Sequence, residues 1–175
     1  MIPGLTETRT GPLRPGAAVF GFLVMLLAGP ALADYQIAGL RDANLGSWDG
    51  FGDLTAEIEH CVLADNPREN GNTAREYSVT ARGSGPGGAF QLSAGPNRLT
   101  YELYYEDRSG RAADLEPNKA TSERLRGIDK DNQFDKCLST GQRAALLTIR
   151  IRQSELLQAG AGDYHGTLML TISAP

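Results

Sequence analysis

Cys61, Cys137, His60 and His165 are the only cysteines and histidines in the chain, and they are the first residues to examine for chemistry. A thiol attacks or ligates only as thiolate, and a catalytic one needs a base that a third group orients. His60 precedes Cys61 directly, yet neighbouring residues of a strand point to opposite faces, so the two do not form such a pair. Two thiols and two imidazoles could make up a tetrahedral zinc set, but their spacing does not resemble that of a zinc site. An even cysteine count outside the cytoplasm reads instead as a Cys61–Cys137 disulfide. Closing a loop of about 77 residues stabilises a fold by roughly 4–5 kcal/mol at most in the chain-entropy view.

Other candidate sites fail on their surroundings. Gly83-Ser84-Gly85-Pro86-Gly87-Gly88 matches G-x-G-x-x-G. That motif binds dinucleotides only between a strand and a helix N-terminus. Here Pro86 and the strand-like Ala89–Leu92 follow, so the stretch is expected to be a hairpin turn. Asp129, Asp131 and Asp135 have part of the spacing of a calcium loop. Phe134 stands where that loop needs glycine for its turn, and Thr140 where it needs a bidentate glutamate. No G-x-S-x-G elbow occurs, and His165 falls in the turn before the last strand. Trp48, Tyr101, Tyr104, Tyr105 and Tyr164 read as packing residues rather than a ligand surface. The chain is therefore not expected to be an enzyme, and no catalytic, cofactor-binding or metal residues are assigned.

The elements that would position any site begin after an apparent leader. Residues 17–33 form a short apolar run that ends in Gly29-Pro30 and Ala31-Leu32-Ala33, with Arg9 and Arg14 ahead of it. This is the pattern of a signal peptide cleaved after Ala33, and the run is shorter than the ~20 apolar residues of a membrane span. The working domain is then 34–175, with residues 1–33 as signal peptide and no membrane span in the mature chain. The whole chain carries 17 basic and 21 acidic residues. A mildly acidic domain with scattered basic residues argues against nucleic acid as a partner.

From Asp34 onward the periodicity is that of strands. Asp34–Leu40 is a candidate first strand, and Leu54–Leu63 alternates over part of its length. Tyr77, Val79 and Ala81 share one face of a strand, and Phe90 and Leu92 share a face of the next. Leu99, Tyr101, Leu103 and Tyr105 read as one continuous strand. Ala145, Leu147, Ile149 and Ile151 mark another, with a helical turn at Ser154–Gln158 after it. Leu168, Leu170 and Ile172 alternate with Met169, Thr171 and Ser173 in the last. Seven to nine short strands with turns between them predict an all-β antiparallel sandwich or barrel.

The closing Ala159–Leu168 resembles the C-terminal pattern of spore coat protein U-like pilins, the subunits of archaic chaperone–usher pili. Leu45-Gly46-Ser47-Trp48 and Leu99–Tyr104 resemble two further motifs of that family, and one cysteine pair also fits. The resemblance implies an immunoglobulin-like β-sandwich that lacks one strand and is completed by a donor strand. It implies a fimbrial subunit that contributes to adhesion or biofilm formation. Its partners would be a periplasmic chaperone, an outer-membrane usher and neighbouring subunits, and its location the periplasm and then the cell surface. It makes Leu168, Leu170 and Ile172, with Tyr164, the edge of the groove, and Tyr35, Ile37 and Gly39 the donor positions. The chain departs from the family where Leu45–Trp48 precedes Cys61 and where His165-Gly166 replaces an acidic residue. Asp34–Leu40 is therefore either a donor or the domain's own first strand. The alternative reading is a self-sufficient secreted or periplasmic β-sandwich that binds a ligand.

Overall fold

The computed structural model describes residues 34–67, 73–74, 76–128, 137 and 145–175. The leader, residues 68–72 and the aspartates Asp129, Asp131 and Asp135 lie outside the described residues. Eleven strands are described: β1 (Asp34–Ala38), β2 (Leu54–Pro67), β3 (Thr73–Ala74), β4 (Glu76–Gly83), β5 (Gln91–Ala94), β6 (Asn97–Thr100), β7 (Glu102–Glu106), β8 (Ala112–Leu115), β9 (Leu125–Arg126), β10 (Ala145–Ile151) and β11 (Leu168–Ser173). One short helix, α1 (Gln153–Leu156), follows β10. One sheet has the order β1-β2-β10-β7-β8, with β3 attached to β2; another has β11-β4-β9; and β5 and β6 form a separate hairpin. Every described strand pair is antiparallel. This is the expected all-β antiparallel sandwich.

Alternation along β10 explains its position. Ala145, Leu147, Ile149 and Ile151 are buried, while Leu146, Thr148 and Arg150 are half-buried on the outer face. β2 alternates in the same way from Leu54 to His60 and then changes. Cys61, Val62, Leu63 and Ala64 are all buried. Val62 and Ala64 belong to the main core, whereas Cys61 packs with Ile128 and Cys137 in a second small cluster. Both faces of β2 are covered there, so period 2 fades. The Cys61–Cys137 disulfide is present, with its Cα atoms 6.3 Å apart.

Two expectations need correction. Leu99–Tyr105 is not one strand. Leu99 lies in β6, paired with β5, and Leu103 and Tyr105 lie in β7, paired with β10 and β8. The break comes at Tyr101, whose backbone N–H donates to Phe90 O at 3.0 Å. Leu99, Tyr101, Leu103 and Tyr105 are nevertheless all buried, so the apolar phase persists across the break and hides it. The glycine-rich stretch 83–88 is not a hairpin turn either. It ends β4 and leads through a 3-10 turn at Pro86–Gly88 to β5, which is not a partner of β4. Gly83 is required there, because a Cβ would lie 2.2 Å from Ala89 O.

The core contains a chain of polar groups. His60, Tyr105 and Tyr77 are each 0% exposed. His60 Nδ1 lies 3.2 Å from Ile58 O, which requires the proton on Nδ1. Nε2 then accepts from the Tyr105 hydroxyl at 2.9 Å. Tyr105 in turn accepts from the Tyr77 hydroxyl at 3.0 Å. Burial lowers the His60 pKa and raises both tyrosines. Asp107, also buried, accepts from the N–H groups of Ser109, Arg111 and Arg126 and fixes the turn after β7. On the outer face Glu102 binds Arg152 at 2.5 Å and Arg150 at 2.6 Å. Those hydrogen bonds, Arg152 first, bring its carboxyl down to about 2.

The direction of the His60 shift sets a pH dependence. A folded-state pKa below the unfolded value means that the unfolded chain takes up the proton first. Stability is complete above about pH 6.5, the ordinary histidine value, and falls as pH drops through that value toward the folded one. Urea midpoints measured between pH 7.5 and pH 5 are expected to decline. In His60→Gln, which lacks a titrating group there, the decline over that window is expected to shrink markedly.

Candidate functional site

β11 pairs with β4 along one edge, from Leu168↔Gly83 to Ser173↔Ser78. Among the described residues its other edge has no strand partner. Backbone N–H and C=O groups on such an edge can pair with another strand, and proteins normally cover or blunt them. The side chains show the same gap. Val79 and Ala81 of β4 are 0% exposed, while Leu168, Leu170 and Ile172, which pack against the same core, remain half-buried. Their outward neighbours Met169, Thr171 and Ser173 are exposed. The strand has the alternation of a covered strand without the full cover.

Beside β11 the two sheets leave a groove of about 1140 Å³. Leu168 and Leu170 form one wall, and Leu54, Ile58 and Ile149 of the larger sheet line the other side. Leu156 of α1 closes toward it as well. The α1 N-terminus is held by Asp53, whose carboxylate accepts from the Gln153 N–H at 2.8 Å. Tyr101 also lines the groove, and burial raises its pKa, so the phenol keeps its proton more firmly than usual. Leu54, Ile58, Ile149, Leu168 and Leu170 give it an aliphatic patch, while Arg41, Asp42, Asn44, Asp163 and His165 bring polar groups to the rest of the lining. Such a patch can hold apolar side chains, and the β11 edge beside it can pair with a backbone.

The residues singled out from sequence fall as follows. Leu168 and Leu170 line the groove, and Ile172 lies on the same face of β11. Tyr164 lines it from the preceding loop and donates its hydroxyl to Gly160 O at 2.8 Å. Tyr35 and Ile37 sit in β1, paired with Ala64 and Val62 of the chain's own β2. The Tyr35 hydroxyl is buried with no hydrogen-bond partner among the described residues. Gly39 follows β1 in the left-handed region (φ 82), just past the last β1–β2 pair at Ala38. His165 is exposed, and its backbone N–H and C=O exchange hydrogen bonds with Ser93 of β5. His60 belongs to the buried polar chain, not to the groove. Among the described residues no three of His, Cys, Asp and Glu stand together as a metal site, and no helix is long and apolar enough to cross a membrane.

Sequence reasoning missed the part of the groove built by the segment after β1. Leu45 and Trp48 are half-buried against the core and line the groove. The available signal was an apolar pair set between glycines with neither helical nor strand period.

No protein-family model matches the chain, and no curated protein matches it. A solved structure does match in fold. It is a chain from a study of a chaperone–tip adhesin complex in the activation of CFA/I fimbriae biogenesis. The TM-score is 0.51 at 15% identity, over 81% of this chain and 42% of that one. At that identity the likeness is one of fold. This chain matches less than half of its counterpart's length.

The difference in cover gives a measurable contrast. Leu147→Ala empties a site that is 1% exposed and is expected to cost about 3 kcal/mol, transfer and cavity terms together. Leu170→Ala, on the half-covered strand, is expected to cost about 1 kcal/mol. Urea unfolding of the two variants checks the ordering.

Proposed function

We propose that this chain is an exported subunit of a bacterial pilus of the chaperone–usher type, completed by a β-strand from another chain. The observation that carries the proposal is the pairing of an open β11 edge with half-covered Leu168, Leu170 and Ile172 beside a groove that carries an aliphatic patch. β-Augmentation uses both features: the backbone ladder gives affinity, and alternate side chains fill the pockets. The fold likeness to a chain from a fimbrial chaperone–adhesin study and the sequence resemblance to spore coat protein U-like pilins support the same role.

In this reading a periplasmic chaperone covers the groove first, and a neighbouring subunit's strand replaces it at an outer-membrane usher. The mature protein then stands at the cell surface, where the pilus contributes to adhesion or biofilm formation. The role needs no cofactor and no catalysis. In this reading β1, which pairs with β2 of the same chain, serves as the domain's own first strand, and a strand of another chain fills the groove. Free monomers would be exposed to edge-to-edge association until covered.

The test is refolding with added strands. The purified protein, disulfide intact, is unfolded and refolded in urea with and without a nonapeptide of alternating valine and threonine, capped by lysines. A peptide covering residues 34–46 is tried beside it. At a hundredfold excess over its Kd, a strand that fills the groove is expected to add about 2.7 kcal/mol to stability. If the protein refolds as a stable monomer and neither peptide moves its midpoint, the donor-strand role fails. A self-sufficient secreted binding domain then becomes the better reading.

A further inference from the structure

Residues 41–48 line the groove, and the segment 41–52 joins neither sheet. Among the described residues no backbone–backbone hydrogen bond ties them to a strand. Their hydrogen bonds stay within the segment: Gly46 N–H to Asn44 Oδ1, Phe51 N–H to Asp49 Oδ1, and the Trp48 indole to the carbonyls of Phe51 and Gly52. Gly46 has φ 72, a conformation that suits glycine and does not continue a strand. The segment nevertheless places two apolar side chains, Leu45 and Trp48, against the core beside Leu168 and Leu170. It is tied down just past its far end, where Asp53 caps α1. Leu40 and Phe51 near its ends stay exposed, at 45% and 80%.

We infer that residues 41–52 are a displaceable strap: Leu45 and Trp48 cover the empty groove, and an incoming strand expels them. The inference rests on the groove reading above and adds how the groove is kept covered before it is filled. A strap held by two side chains and no ladder is the kind of segment that opens at low free energy while the sheets stay closed. An entering strand supplies what the strap lacks, a backbone ladder along β11, together with side chains for the same apolar patch. The strap also shields part of the aliphatic surface that would otherwise invite association.

Trp48 is the only tryptophan in the chain, so its fluorescence reports on the strap alone. The protein purified from cells expressing the full chain is titrated with the valine–threonine nonapeptide. Thermal stability and Trp48 emission are followed together, with iodide quenching as a measure of exposure. The expected result is a rise in Tm with a red shift of Trp48 and quenching increased about threefold or more, as an indole leaves an apolar contact for water. Leu45→Ala, which weakens the strap and leaves the reporter in place, is expected to bind the peptide about tenfold more tightly. A rise in Tm with Trp48 emission and quenching unchanged overturns the strap while leaving the groove reading intact. No rise in Tm and no change at Trp48 overturns both. The unsubstituted protein gives this answer by itself, so the test stands even if Leu45→Ala folds poorly.

Discussion

The inner faces of the two sheets differ in width. The larger follows the path β1-β2-β10-β7-β8, and the smaller is β11-β4-β9. A sandwich is stable only where each layer buries the other's apolar face, and a narrow layer cannot cover a broad one. Over β4 the match is complete, and Tyr77, Val79 and Ala81 are fully buried. At β11 it ends, leaving Leu168, Leu170 and Ile172 half-covered. The β5–β6 hairpin, α1 and the segment after β1 all gather around this deficit, each contributing apolar side chains to the groove. The groove follows from the strand count of the smaller layer.

Much of this was legible because one-sided burial writes period 2 into the chain. Ala145–Ile151 and Leu168–Ser173 are strands where the alternation places them, and the cysteine pair is joined as the count implied. The signal failed where burial became two-sided or where tertiary pairing overrode local pattern. Cys61–Ala64 lost its alternation because the Ile128 and Cys137 cluster covers its second face. The stretch Leu99–Tyr105 kept its alternation while changing partners at Tyr101, because both halves bury the same phase. The last strand and its inward phase were readable in Leu168, Leu170 and Ile172. The share of the groove contributed by Leu45 and Trp48 was not, since an irregular segment has no period.

His60 shows how a chemical candidate becomes a structural one. Beside a cysteine it invited a catalytic question. Yet it lies in phase with Leu54, Ala56 and Ile58, the inward positions of β2, and that phase predicts a core residue. Its two ring nitrogens are satisfied by Ile58 O and Tyr105, so the imidazole is held in one tautomer. A buried polar chain of this kind is tolerable only when each member has its partner. Here the chain runs from β2 through β7 to β4 and so links the two layers.

The disulfide lies where β2 passes from pairing with β10 to pairing with β1. The groove is lined by the earlier half of the same strand, at Leu54 and Ile58. β2 therefore carries the crosslink at its middle, on Cys61, and lines the groove near its start. Covalent fastening and incomplete cover thus meet on a single backbone.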